Sequence, residues 1–195
     1  HPQRALVVMS PNPREGKTTV ILNLAISLAQ SGKRVLVVDT DLRRPRIHKA
    51  LDRSNGRGVT TVLVGEHSMR EAVQSSEIPG LDLLASGPIP PNPSELLHTT
   101  QFRDLVRELT RAYDHVLFDS PPLAVVTDAA VLAPQVDGTI VVVHAQRTTR
   151  DALRSALRRL NDVGARVTGG VLNDVDLAAR RYGYRYGTYS YQAED

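Results

Sequence analysis

The feature that most restricts this chain is a single passage near its start. Residues 4–9 (RALVVM) lead into PNPREGKTT at 11–19, and an apolar stretch follows as far as Ser31-Gly32. The short apolar run reads as a buried strand. Pro, Asn and Gly over residues 10–16 make a loop. Lys17–Gln30 then reads as a helix whose Val20, Ile21, Leu24, Ile26, Leu28 and Ala29 leave little polar face, so it must lie against a sheet, and Gly32 closes it. Residues 34–38 (RVLVV) form a second apolar run that ends on Asp39. Strand, loop, helix and strand in that order are a βαβ unit. Nearly continuous apolar strands require cover on both faces. The expected fold is α/β: a Rossmann-like, mostly parallel sheet with helices on both sides.

The remainder of the chain extends that pattern. Short helices are predicted over 58–65 and 68–73 and a strand at Leu81–Leu84. A proline-rich loop follows over 87–93 (GPIPPNP), then a short helix capped by Ser94, and a longer one with Phe102, Leu105, Val106 and Leu109 on one face. Further strands are predicted at 115–118 and 139–143. An amphipathic helix over 150–163 should turn Leu153, Ala156, Leu157, Leu160 and Val163 inward, and a last strand covers 166–172. From about Leu177 the composition becomes RRYGYRYGTYSYQAED. We therefore expect one domain over 1–176 and a flexible, tyrosine-rich tail over 177–195. His1 stands directly before an apolar run, which reads as a piece of a longer protein.

Composition closes off several classes of function. There is no Cys, so disulfides and thiolate metal sites are excluded. No apolar run approaches the ~20 residues of a membrane helix. The net charge is only +3, which gives no footprint for nucleic acid. The six His residues are scattered, none at ligand spacing, which leaves a metal hydrolase unsupported.

The loop itself carries chemistry. Gly16, Lys17 and Thr18 satisfy the end of the P-loop pattern G-x-x-x-x-G-K-[ST], while Pro11 occupies the position of its first Gly. Amide N–H groups at a helix start converge on an anion, and the helix dipole favours negative charge there. Gly16 permits close approach of a phosphate. Lys17 supplies a point charge for the β and γ oxygens, and Thr18 offers a hydroxyl to Mg²⁺. Asp39 and Asp41 follow one predicted strand and Asp119 follows another. In a parallel sheet, ligands bind outside the carboxyl ends of the strands. Three carboxylates there, beside a phosphate loop, outline a Mg²⁺ site, although each alone could be a helix cap.

VLVVDTDLRRP at 35–45 resembles the second acidic motif of the bacterial tyrosine kinases, the P-loop kinases of capsule and exopolysaccharide production. VLFDSPP at 116–122 is similar to their Walker B motif, GPIPPNPSELL at 87–97 to another stretch typical of them, and the tail to their C-terminal tyrosine cluster. The resemblance implies a P-loop NTPase fold and an ATP- and Mg²⁺-dependent, non-specific protein-tyrosine kinase. In it Pro13, Arg14, Glu15, Gly16, Lys17, Thr18, Thr19 and Asn173 contact ATP. Thr18, Asp41 and Asp119 serve the metal. Lys17, Asp39, Asp41, Arg43 and Asp119 are catalytic, with Asp39 or Asp41 taking the tyrosine proton. Arg43 steadies the phosphoryl group or a subunit contact, with a surface Arg as the alternative, and Asn173 reads adenine or closes a turn. Arg14 replaces a usual Gly. The resemblance also places the full-length protein on the cytoplasmic side of the bacterial inner membrane. It would be a homo-oligomer there, working with a membrane polysaccharide co-polymerase or adaptor segment; the family's E-x-x-R-x-x-R ring-building helix falls upstream of His1.

Tyr182, Tyr184, Tyr186, Tyr189 and Tyr191 are five of the six tyrosines in the chain. An edge strand would explain spacing of two, but Gly183, Gly187 and Ser190 favour a mobile segment. From Asn173 to Tyr191 an extended chain reaches roughly 60 Å, enough to enter a neighbour's site, so these tyrosines are the expected phosphoacceptors in trans. The competing readings are a partitioning or cell-division ATPase and a non-catalytic nucleotide-binding module. The first usually carries an extra Lys where this chain has Asn12.

Overall fold

The computed structural model of the protein describes residues 3–125 and 128–176, with the backbone alone at Asp128 and Ala129. The five tail tyrosines and the proposed boundary at 177 lie outside the described residues. Seven strands form one sheet: β1 (Ala5–Met9), β2 (Val35–Asp39), β3 (Val73–Ser75), β4 (Leu81–Leu84), β5 (His115–Asp119), β6 (Gly138–His144) and β7 (Val167–Asn173). Their order is β3-β4-β2-β5-β1-β6-β7. Every pairing is parallel except that of β3 with β4. The chain's first strand is therefore near the middle, between β5 and β6.

Alternation along the central strands builds two cores. Ala5, Val7 and Met9 of β1, Leu36 and Val38 of β2, and Val116 and Phe118 of β5 face one side. There they meet Phe102, Leu105, Val106 and Leu109 of α6 (Thr100–Ala112) and Ala156 and Leu160 of α8 (Arg150–Asp162). Phe102 meets Phe118 edge to face at 6.4 Å. Val8, Val35, Val37 and Leu117 face the other side, where Ile21, Ala25 and Ala29 of α1 (Lys17–Gln30) cover them. Burial on both faces is why these strands lack any polar alternation.

The smaller elements depart from the pattern read in the sequence. The helix predicted over 68–73 stops as α4 (Met69–Ala72), and Val73 opens the antiparallel edge strand. Ser68 caps α4 reciprocally with Glu71. The helix expected to start after Ser94 is α5 (Pro93–His98), with Asn92 at its cap and Pro93 in the first turn, where a missing N–H costs nothing. Of the apolar residues assigned to the inner face of α8, Leu157 and Val163 are 37% and 38% exposed and do not join the core. The helices α2 (Ile47–Ala50), α3 (Val59–Leu63) and α7 (Asp128–Leu132) complete the cover; α2 and α7 carry no periodic signal of their own. No helix among the described residues is long and apolar enough to cross a membrane.

Candidate active site

The carboxyl ends of β1, β2 and β5 converge on the start of α1. Gly16 precedes that helix at φ 92 and gives it no side-chain cap. A Cβ there would lie 2.0 Å from Asn173 Nδ2 and displace that side chain, and at this φ any residue but Gly is strained. Arg14 is in the left-handed region as well, at φ 62. That is the conformation a Gly would adopt without cost, and it gives the physical meaning of the departure noted at this position. Pro11, in the place of the pattern's first Gly, is buried, and its carbonyl accepts from the Ala124 N–H at 3.0 Å. Replacing Arg14 by Gly should relieve a left-handed penalty of about 1–2 kcal/mol, partly offset by the greater freedom of Gly in the unfolded chain. A net gain of up to about 1 kcal/mol is expected, seen as a melting temperature raised by about 2–4 °C.

Lys17 is buried, and its Nζ donates to Ser10 Oγ at 3.0 Å. Burial pulls its pKa down, opposed by the charges of Asp119, Asp41 and Glu15. Thr18 donates its hydroxyl to Asp119 Oδ2 at 3.2 Å. Asp119 is 4% exposed. Burial, and then the charge of Asp39, push its carboxyl up to about 7 against the pull of Lys17. Asp39 is wholly buried. Burial raises it to about 6 although backbone N–H groups of Ile47, Arg46 and Asp41 bond to it. Its Oδ2 accepts from Arg46 and Ile47 at 3.0 and 3.1 Å and so fixes the start of α2, while its Oδ1 accepts from Asp41 N at 3.2 Å. Asp41, half-buried, holds the following turn by accepting from the N–H groups of Arg43 and Arg44.

Of the residues singled out in the sequence, Glu15, Gly16, Lys17, Thr18, Asp39, Asp41, Asp119 and Asn173 come together. Pro13, Arg14 and Thr19 are exposed on the loop and first turn. Arg43 is exposed and donates to Ser94 Oγ at 3.3 Å, which ties its turn to the proline-rich segment. Three buried hydroxyls escaped notice in the sequence. Ser10 supports Lys17. Thr40 donates its hydroxyl to the Asp119 carbonyl, bracing β2 against β5, and Ser120 donates to the Val8 carbonyl at 2.9 Å, bracing β5 against β1. Their one signal was adjacency: each directly follows an apolar strand or its terminal Asp.

Three carboxylates beside a single lysine leave the site short of positive charge, and two of them are pushed toward neutrality, by burial first and by neighbouring carboxylates second. A divalent cation would remove that conflict. Among the described residues no three His, Asp or Glu side chains form a metal cage by themselves. An incomplete set of this kind, a hydroxyl and carboxylates, suits Mg²⁺, which keeps waters and phosphate oxygens as its other ligands.

A strand-centred loop with Gly, Lys and Thr, opposed by strand-terminal aspartates, defines a P-loop nucleotide-binding protein of the α/β class. Known proteins narrow this. A family profile described as an AAA domain matches residues 13–169. The tyrosine-protein kinase YwqD of Bacillus subtilis is 41% identical over 186 residues, which are 95% of this chain and 78% of that protein. The tyrosine-protein kinase ptk of Acinetobacter johnsonii is 37% identical over 91% of this chain, which spans only 24% of the relative's length. The kinase domain of the Escherichia coli tyrosine kinase ETK superposes with a TM-score of 0.87 at 32% identity, over 99% of this chain and 73% of that one. The chain belongs to the bacterial tyrosine-kinase family of P-loop proteins.

Proposed function

We propose that the chain is an ATP-dependent, non-specific protein-tyrosine kinase that phosphorylates its own tail tyrosines, Tyr182, Tyr184, Tyr186, Tyr189 and Tyr191, in trans. Its setting would be the control of capsule or exopolysaccharide synthesis and export. There, as a homo-oligomer, it would work beside a membrane polysaccharide co-polymerase or adaptor segment on the cytoplasmic side of the bacterial inner membrane. The observation that carries the reading is Lys17 set opposite Asp39, Asp41 and Asp119 on a chain that ends in five tyrosines. Family membership supports it.

In this mechanism the α1 amides and Lys17 bind the phosphates. Bound Mg²⁺, held by Thr18, Asp119 and Asp41, would supply neutralising charge at the phosphate oxygens. The phenol oxygen of tyrosine forms a bond to the γ-phosphorus, the bond from that phosphorus to the bridging oxygen of ADP breaks, and the phenol proton passes to Asp39. A free phenol ionises near pH ~10, so at neutral pH it needs such an acceptor. A carboxyl raised to about 6 is a better base than an ordinary one, and its Oδ1 has accepting capacity left. Each phosphate added brings close to two negative charges to the tail, which should repel an acidic site and loosen the oligomer.

The test is incubation of the chain with Mg·ATP and mapping of phosphate by mass spectrometry. Phosphate on tyrosines within 182–191 is expected. Unmodified tyrosines in a concentrated sample shown to bind ATP would overturn the kinase reading.

A further inference from the structure

One buried carboxylate joins the phosphate loop to the other end of the nucleotide path. Glu15 is 2% exposed. Its Oε2 accepts from Asn12 N at 2.8 Å, and its Oε1 accepts from Asn12 Nδ2 at 3.1 Å and from the Thr148 hydroxyl at 2.5 Å. Its main-chain carbonyl accepts from Asn173 Nδ2 at 3.1 Å. Thr148 lies in the segment after β6 and Asn173 at the end of β7. The two segments are also bonded to each other. Ala145 N donates to the Asn173 carbonyl at 2.9 Å, Thr148 Oγ1 accepts from His144 N at 2.8 Å, and His144 Nε2 lies 3.0 Å from Asp174 Oδ2.

The strand order says what this assembly faces. Asp39 and Asp119 end β2 and β5, on one side of β1. Phosphates cradled at the end of β1 therefore direct their terminal group toward β5 and β2. The nucleoside must then extend the opposite way, over β6 and β7, where residues 145–149 and Asn173 stand.

We propose that Glu15 is a positioning residue for nucleoside recognition. Its carboxylate is occupied by Asn12 and Thr148, so the ATP contact expected of this residue would come from its main chain. Its carboxylate holds Thr148 and its carbonyl holds Asn173, so the base-facing segments keep their place only while the phosphate loop keeps its own. This rests on the reading that the chain binds an adenine nucleotide. In Glu15→Gln one acceptor oxygen becomes a donor, so the three half-buried donors of Asn12 and Thr148 cannot all be satisfied. In Thr148→Val the same link is cut from the other end at almost unchanged volume, together with the bond from His144 N, whereas Thr148→Ser keeps both and should behave as the unaltered chain.

Titration calorimetry of the chain with Mg·ADP and Mg·GDP, beside initial rates of tyrosine phosphorylation against ATP concentration, tests this. The unaltered chain should prefer ADP. Either substitution should weaken ADP binding roughly 10-fold and erode the preference over GDP by a similar factor. In Thr148→Val, KM for ATP should rise correspondingly, with kcat held within about 3-fold, as expected when ground-state binding alone is lost. The double variant should be no weaker than the weaker single one, because both remove one link. Unchanged ADP affinity and preference in both variants would overturn the proposal, as would a loss confined to kcat, additive losses in the double variant, or equal affinity of the unaltered chain for ADP and GDP. Failure of the unaltered chain to bind ADP would sink the nucleotide-binding reading itself. Thr148→Val carries the test alone if Glu15→Gln does not fold.

Discussion

Lys17→Met should lower tyrosine phosphorylation by at least about 10²–10³-fold, the scale on which a preorganised charge at the reacting group is lost. The fold should survive. Lys17 Nζ has a hydroxyl partner, Ser10, and burial already pulls its pKa down, so a neutral, unbranched side chain of similar length costs little in packing. The loop itself, by contrast, carries no second Lys, which stands elsewhere only at 33 and 49. Phosphotyrosine immunoblotting with a melting curve as control checks both halves. Retained phosphorylation in a folded Lys17→Met protein would remove Lys17 from the mechanism.

Asp119→Asn should separate stability from activity in the opposite direction. The Asp119 carboxyl is pushed from 3.8 up to about 7 in the folded protein. A carboxyl whose folded pKa lies above its unfolded one binds its proton more tightly in the native state. It therefore makes native stability fall as pH rises from about 4 to about 7, and its cost is complete above that. Asp39, raised from 3.8 to about 6, adds to the same slope over a narrower window. Without metal and nucleotide, the neutral amide should stabilise the protein at pH 8 by about 2–4 kcal/mol, from 1.36 kcal/mol per pKa unit. That advantage should fade as pH falls toward 4. Phosphorylation should fall about 10²-fold or more, because the partner of Thr18 and the proposed metal ligand are lost together. Urea unfolding in EDTA at pH 8 and pH 5, with and without the substitution, measures the difference. An Asp119→Asn protein no more stable than its parent at pH 8 would show that Asp119 carries no such burden.

The parts of this site that were legible in the sequence are those whose cause is local. β1, β2 and β5 announce themselves because both faces are buried, and Asp39 and Asp119 mark the ends of the last two. The loop before α1 is read from Gly16, Lys17 and Thr18 in a row. What escaped is set by partners far along the chain. α2 begins where it does because Asp39 accepts from Arg46 and Ile47, and nothing within residues 47–50 predicts it. Glu15 looks like any loop acid until Thr148, 133 residues on, is placed against it. Leu157 and Val163 satisfied the helical period but stay more than a third exposed, outside the cluster that Ala156 and Leu160 join. Arg14 needed a backbone angle, which no composition supplies.

The place of β1 in the sheet bears on the protein's history in the cell. Its neighbours β5 and β6 are made far later than it is, and Thr18 meets Asp119 across 101 residues of chain. At a synthesis rate of about 5–20 residues per second, the loop would wait roughly 5–20 s on the ribosome before its acidic counterpart emerges. Through that interval the nascent chain carries a phosphate-binding sequence with no sheet to shape it. A polypeptide that stops short of Asp119 therefore lacks the acidic half of the proposed site, and the proposed activity would arrive only once that half is made.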